Sequence, residues 1–330
     1  MAAITNTFVT SSAVGNREEL SDVVSRITPE DTPIYSMMPK AKADSIHPEW
    51  EREDLAVPAA NAQAEGDDYS SWTAITPPTR LGNYCQIMKK DWIISNTQEA
   101  VDNAGRAEKR KHQRLKKGIE IRKDVEFAIV SNTATVGSGT RYFGSLPTWI
   151  ETNESRGATG SSGGFNTGDG LTDVETTGTQ RAFTKALFDT VLQSCYNNGG
   201  SNRYAVLSPY AKTVFTTFMS DSNVASFRYA AQGNGPNTIV ATADIYEGDF
   251  GKTTVIPNRV MATSAAVARR VYILDRDLLE FKWLRNIQDL DIARTGDAEK
   301  GVVIGEGTMC VKNEKGLGVV ADIYGLTASS

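Results

Sequence analysis

The chain has 330 residues, with 35 Lys and Arg against 40 Asp and Glu for a net charge of −5, and is 40% hydrophobic and 23% charged. This composition is that of a globular protein with room for about two domains, and a chain of this size can bury enough surface to fold without disulfide or metal staples. A run of 18 apolar residues is absent, which excludes a transmembrane helix, and the first 30 residues do not read as a secretory signal.

Three cysteines, Cys85, Cys195 and Cys310, are too scattered for a disulfide framework and point to a reducing compartment. Two histidines, His47 and His112, thin the usual set of acid–base and metal-binding groups. The charge is polarised. Residues 44–68 hold eight acids against Arg52, a net of −7, whereas residues 101–125 hold nine bases against four acids, a net of +5. Oppositely charged segments of this size can pair within a molecule or between molecules.

Seven of the eleven prolines fall before residue 80. Proline removes backbone donors and disfavours helix in the residue before it, so residues 1–80 read as extended chain with one short helix around Glu18–Ile27. The stretch also holds Phe8, Tyr35, Met37, Met38, Trp50, Tyr69 and Trp72, too apolar a set for a disordered tail. An arm ordered by packing on neighbouring chains reconciles the two observations.

Residues 83–94 read as a strand or strand pair. Ser95-Asn-Thr-Gln98 and Asn96-Thr-Gln-Glu99 both fit a capping box, and a helix is expected over 97–133, roughly 55 Å long. Its first half is polar nearly all round, as in a helix that crosses a surface. Residues 137–181 are rich in Gly, Ser and Thr and read as a long loop or hairpin tip. A helix is expected from Thr184 to Tyr196, stopped by Gly199-Gly200, and Arg203–Leu207 reads as a buried strand. Ser208-Pro209 opens a further helix to about Met219, and after Ile239 the pattern is mostly strand.

The constellations that carry chemistry are weak. Gly248-Asp-Phe-Gly251-Lys252-Thr253 lacks the first glycine of a phosphate-binding loop, because Tyr246 stands there; it reads as a β-turn. The G-x-G pairs at Gly168 and Gly305 fail at their third glycine. Asp289-Leu-Asp291 could ligate a cation but reads better as acids on an exposed strand. Metal-ligand spacing is missing, and neither histidine sits where a catalytic triad would need it. No catalytic, cofactor-binding or metal residue is therefore expected.

The order of features resembles a tailed-bacteriophage major capsid protein of the HK97-like fold. The matching segments are Thr32–Met38, Glu49–Leu55, Ala60–Asp68, Gln86–Val101 leading into the charged helix, Asp244–Lys252 with Asn258-Arg259, and Thr295–Lys300 before the closing strands. The resemblance implies an α+β fold with an N-terminal arm (1–40), an extended loop (41–88), a peripheral domain (89–170) with a spine helix over 97–133, a mixed α/β axial domain (171–270), and peripheral β-sheet strands (271–330). It implies a non-enzymatic subunit that self-assembles through pentamers and hexamers into an icosahedral shell. That shell would enclose DNA with at most non-specific contact, in the virion, after assembly in the host cytoplasm. The implied partners are further copies of itself and separate scaffolding, portal and decoration proteins, with no cofactor and no membrane. No Lys lies between Lys42 and Lys89, so a covalent lysine lock through the loop is not expected. A β-rich phage tail or adhesin protein is the alternative, but it would not need the long charged helix.

Expected contacts between subunits follow from the charge and aromatic pattern. Trp50 and Trp72 lie in the loop, where one subunit offers little to bury them, and would anchor on a neighbour. Glu51, Glu53 and Asp54 of the acidic loop would face Lys109, Arg110 and Arg114 of a neighbour's basic helix.

Overall fold

The structure is a computed structural model that describes residues 28–66, 68, 72–101, 109–201, 203–218 and 244–328. The expected helix at Glu18–Ile27 and the start of the strand expected after Ile239 lie outside the described residues.

Two sheets organise the chain. The first is four-stranded, in the order β1 (Lys40–Lys42), β13 (Leu279–Ile292), β14 (Ala298–Val311) and β4 (Gln86–Ser95). β1 runs parallel to β13, and the other pairs are antiparallel. β13 and β14 form one hairpin of 14-residue strands, about 45 Å long. Residues 279–292 fall in the stretch expected to be mostly strand. They form one, with register shifts between Trp283 and Gln288 where the strand passes from buried to exposed.

The second sheet is six-stranded, in the order β10 (Ile245–Gly248), β11 (Gly251–Pro257), β9 (Tyr204–Leu207), β12 (Val271–Leu274), β15 (Gly318–Val320) and β5 (Glu154–Ser155). The period of two along these strands builds two cores at once. Ala205, Leu207, Val271 and Ile273 point to one side, against α4 (Lys185–Asn197) and α5 (Pro209–Thr217). Val206, Tyr272 and Leu274 point to the other, into the core shared with the four-stranded sheet. Gly318 lets α4 approach, because a Cβ there would meet Val191 and Cys195 at 2.5 and 2.6 Å. The boundary expected at residue 271 is therefore not where the sheets divide. β12 and β15 join the sheet of β9, and β5 reaches it from before residue 171.

The helix expected over 97–133 is two helices. α2 (Asn96–Ala100) opens on Ser95, whose Oγ accepts from Gln98 N at 3.2 Å as the capping pattern predicts. It ends at Val101, which is extended (φ −76°, ψ 134°). α3 runs Lys109–Val130 and packs across β4 and β14. It stops three residues short of the expected end. Ser131 and Asn132 turn their side chains to backbone, Ser131 Oγ to Ala128 O and the Asn132 amide to Glu175, which competes with helical bonding. Ile121, Val125 and Ile129 bury the C-terminal half of α3, and truncating one to Ala costs about 2–5 kcal/mol.

The arm region also departs from expectation. α1 (Pro33–Met37) and β1 belong to this subunit's own core through Ile34 and Met38, so residues 33–42 do not need a neighbour to order them. Within 137–181, a short hairpin joins β6 (Gly164–Asn166) to β7 (Leu171–Asp173), while Leu146, Trp149 and Ile150 are core residues. The closing segment divides into β15 and β16 (Ile323–Gly325), which pairs with β8 (Arg181–Ala182); Asp322 between them has φ +59°. The helix starting at Ser208-Pro209 forms as expected, with Ser208 Oγ capping Ala211 N.

Candidate functional site

The root of the loop is a two-stranded ribbon, β2 (Glu49–Arg52) against β3 (Thr79–Gly82), with Trp50 opposite Leu81. Trp50 is half-buried in this subunit. Its indole lies 5.6 Å from the Trp149 ring, and Nε1 donates to Val311 O at 3.0 Å. The premise that one subunit offers Trp50 little to pack on is thus corrected. Two ion pairs hold the same root to the turn at Glu314–Gly316: Arg52 to Glu314 at 3.7 Å and Asp54 to Lys315 at 2.7 Å. The Lys315 ammonium hydrogen-bonded to Asp54 holds that carboxyl below the usual carboxylate range.

Beyond the root the picture reverses. Every described residue from Glu53 to Pro78 is exposed, and none lies in a strand or helix. Leu55, Val57, Trp72 and Ile75 are 95, 86, 88 and 93% exposed. Large apolar side chains bared this far in one segment mark an interaction surface. Glu51 and Glu53 are exposed beside them.

The basic helix meets other acids than expected. Arg110 pairs with Glu299 at 2.5 Å and with Glu99 at 3.9 Å. Arg114 pairs with Asp289 at 3.0 Å and with Asp291, and its guanidinium stands 5.3 Å from the Trp92 ring. Trp92 lies over Gly301, where any Cβ would strike the indole. Asp289 and Asp291 thus pair with the Arg114 guanidinium. Lys109 is half-buried at the first described residue of α3. Within one chain, then, the acidic partners of Arg110 and Arg114 come from α2 and from the β13–β14 hairpin, not from the loop.

Alternation exposes a second surface. The sheet face carrying Asp289, Asp291 and Trp92 is covered by α3. The opposite face carries Ile93, Leu290 and Ile292, all exposed, with Lys300 between Ile292 and Ile93, and with Val302 and Ile304 half-buried beside Asp91 and Lys89. Sequence reading missed it, although Leu290 and Ile292 alternate with Asp289 and Asp291 in plain view.

Glu126 was missed as well. It is fully buried on α3, where Oε1 accepts from Ile34 N at 3.0 Å and Asn258 Nδ2 at 2.7 Å, and Oε2 accepts from Tyr35 N at 2.7 Å. One carboxylate therefore joins α1, α3 and the turn after β11. Burial pushes its pKa up to about 7, opposed by those three hydrogen bonds. The signal was an acid set between Val125 and the apolar pair Ile129-Val130.

The weak chemical motifs settle into structure. Gly248–Gly251 is the turn of the β10–β11 hairpin, with Gly251 at φ +113° and Lys252 paired to Glu247 at 3.4 Å. His47 stacks on Tyr84 with ring centroids 4.1 Å apart. All three cysteines are buried, and burial raises the thiols, Cys85 to about 11 and Cys195 and Cys310 to about 12. Among the described residues, no three His, Cys, Asp or Glu side chains are grouped to hold a metal ion.

A long charged helix across a hairpin sheet, a second sheet flanked by helices, and an exposed loop on a two-stranded root are the elements of the HK97-like fold. The sequence matches the SU10 major capsid protein family over residues 3–324, and the chain belongs to that family. The major capsid protein of Escherichia phage Phieco32 is 30% identical over 128 residues, 38% of this chain; the match spans 36% of that relative's length. A solved structure from Mycobacterium phage Bobi superposes with a TM-score of 0.61 at 10% identity, covering 96% of this chain and 98% of that one. The capsid of an empty GTA particle superposes with a TM-score of 0.58 at 10% identity, covering 96% and 98%. The protein is a structural capsid component and not an enzyme, and the tail or adhesin reading is not favoured.

Proposed function

We propose that this chain self-assembles through pentamers and hexamers into the icosahedral head shell that encloses phage DNA. Scaffolding, portal and decoration proteins act as separate partners, and assembly takes place in the bacterial host cytoplasm. The observation that carries the reading is the loop of residues 53–78, whose four large apolar side chains have no cover in their own subunit. A neighbouring copy supplies that cover. The open sheet face of Ile93, Leu290 and Ile292, which also carries Lys89, Asp91 and Lys300, is the acceptor suited to it, since both surfaces bear large apolar side chains left exposed in their own chain and the loop's acids can meet those lysines. Burying one large aromatic contributes roughly 2–3 kcal/mol, and each copy adds such a contact around the shell. Trp72 anchors this contact, whereas Trp50 serves it by fixing the root from which the loop departs.

The charge pairing is revised in the same direction. Arg110 and Arg114 are engaged within the chain, so Glu51 and Glu53 are left to steer docking by long-range attraction more than by ion pairs with those two arginines. Sedimentation and negative-stain imaging of the purified chain test the proposal. Capsomers or closed shells are expected, and Trp72→Ala together with Ile75→Ala is expected to reduce them. A folded monomer that stays monodisperse at high concentration overturns it.

A further inference from the structure

α5 separates two unlike surfaces. It is nine residues long, about 13 Å, and its N-terminal end borders a groove of about 220 Å³. Phe183, Val214 and Ile323 line the groove as buried residues, with Tyr210 and Ala265 exposed at its edge. The one charged residue in this lining is Arg269, just past the short helix Ala265–Ala268. Its guanidinium meets the Gln180 amide and forms no ion pair among the described residues. The C-terminal end of α5, at Phe215 and Phe218, meets the β10–β11 hairpin instead. The turn of that hairpin presents apolar and acidic groups together. The half-buried Phe250 lies 5.3 Å, ring to ring, from the exposed Tyr196. Asp249 is exposed and has no ion-pair partner among the described residues, whereas Glu247 is held by Lys252 at 3.4 Å.

We propose that the groove at the N-terminal end of α5 receives the β10–β11 turn of the next copy of the chain, a head-to-tail contact that closes a ring of subunits. The proposal rests on the shell reading, and it names the two surfaces that join one copy to the next. A ring requires two different patches on each subunit, because a patch that pairs with itself stops at a dimer. α5 meets that requirement by holding a recess at one end and the turn at the other. Charge agrees with shape. The groove holds an unneutralised cation, Arg269, among apolar side chains, and the turn offers an unneutralised acid, Asp249, next to Phe250. Burial of the Phe250 edge against Tyr210 supplies attraction, and the Asp249–Arg269 pair sets orientation and register. The loop of residues 53–78 fits the groove less well, since its large apolar side chains are spread from Leu55 to Ile75 and the groove is a compact recess.

The test is disulfide cross-linking of the assembled full-length chain, with Asp249→Cys on the turn and Ala265→Cys on the groove, read on a non-reducing gel. The three native cysteines are buried and stay out of the reaction. A disulfide needs Cα atoms within about 7 Å, and the two positions flank opposite ends of α5, so the bond forms between copies. A ladder running up to pentamers and hexamers is expected, and neither single-cysteine variant should give one. Should the pair impair folding, which thermal unfolding checks, Glu247→Cys with Ala268→Cys repeats the test. Arg269→Glu is expected to lower the assembled fraction about two- to fivefold at limiting concentration, as for one partly exposed ion pair, and Asp249→Arg in the same chain to restore most of it. Shells without a ladder, or a double reversal no better than Arg269→Glu alone, overturn the contact and leave the shell reading standing. Cross-linked dimers alone overturn the head-to-tail order. A link from Ala265→Cys to Trp72→Cys gives the groove to the loop tip and overturns the proposal as well. If the unsubstituted chain forms no capsomer or shell, the shell reading itself fails.

Discussion

Trp50 and Trp72 belong to the same proline-rich, acidic segment, and from sequence they looked alike. In the fold they are opposites. Trp50 packs on Trp149 and hydrogen-bonds Val311, while Trp72 is 88% exposed. Arg52 and Asp54 reinforce the root through Glu314 and Lys315, and from Leu55 to Pro78 every described residue is exposed. A segment that must reach a neighbour needs a firm root and an uncommitted tip. The change from one to the other takes place within a few residues.

The largest expected effect separates the two tryptophans. Trp50→Ala removes a half-buried indole and its hydrogen bond, and should destabilise the unassembled subunit by about 2–4 kcal/mol in urea denaturation. Trp72→Ala should stay within about 0.5 kcal/mol in the same measurement, yet lower assembly yield. Equal losses in stability would erase the distinction between root and tip.

A second effect concerns Glu126, the fastening behind the root of the arm. Its carboxyl is raised from 4.5 to about 7 in the folded chain. Between those values the folded state holds the proton that the unfolded state has lost. Unfolding free energy therefore falls as pH rises from 4.5 towards 7 and levels off above. Glu126→Gln should flatten this part of the pH profile. An unchanged profile would show that another group is responsible.

Smaller effects sharpen the contrast between engaged and open charges. Arg114→Met leaves Asp289 and Asp291 without their cation on the covered face of the hairpin, and should cost about 1 kcal/mol in denaturant titration. Asp54→Asn loosens the last clasp of the root. Because that pair is largely solvated, the expected loss is at most about 0.5 kcal/mol. Faster proteolytic cleavage between Leu55 and Pro78 would be the clearer readout, and cleavage at the wild-type rate would place the end of the root before Asp54.

Much of this was legible from local backbone chemistry. Ser95 and Ser208 announced helix starts because a hydroxyl satisfies an N–H that the helix itself leaves unpaired. Gly199, at φ +88°, closes α4 for the same kind of local reason. The β10–β11 turn followed from its glycines, and the order of segments carried the family. Partner choice across long sequence separations was not legible. Nothing near residue 271 tells β12 to lie between β9 and β15 and not beside the β13–β14 hairpin that follows it, because alternation shows which face is apolar and not what will cover it. Trp50 found Val311 and Arg114 found Asp289 only once folding had brought distant surfaces together. The same holds for Glu126, an acid that the helix pattern alone would place in water until α1 and Asn258 close over it. Capping and turn formation are settled within a few residues of chain, so sequence determines them. Burial and charge pairing depend on which elements meet, and only the tertiary structure decides that.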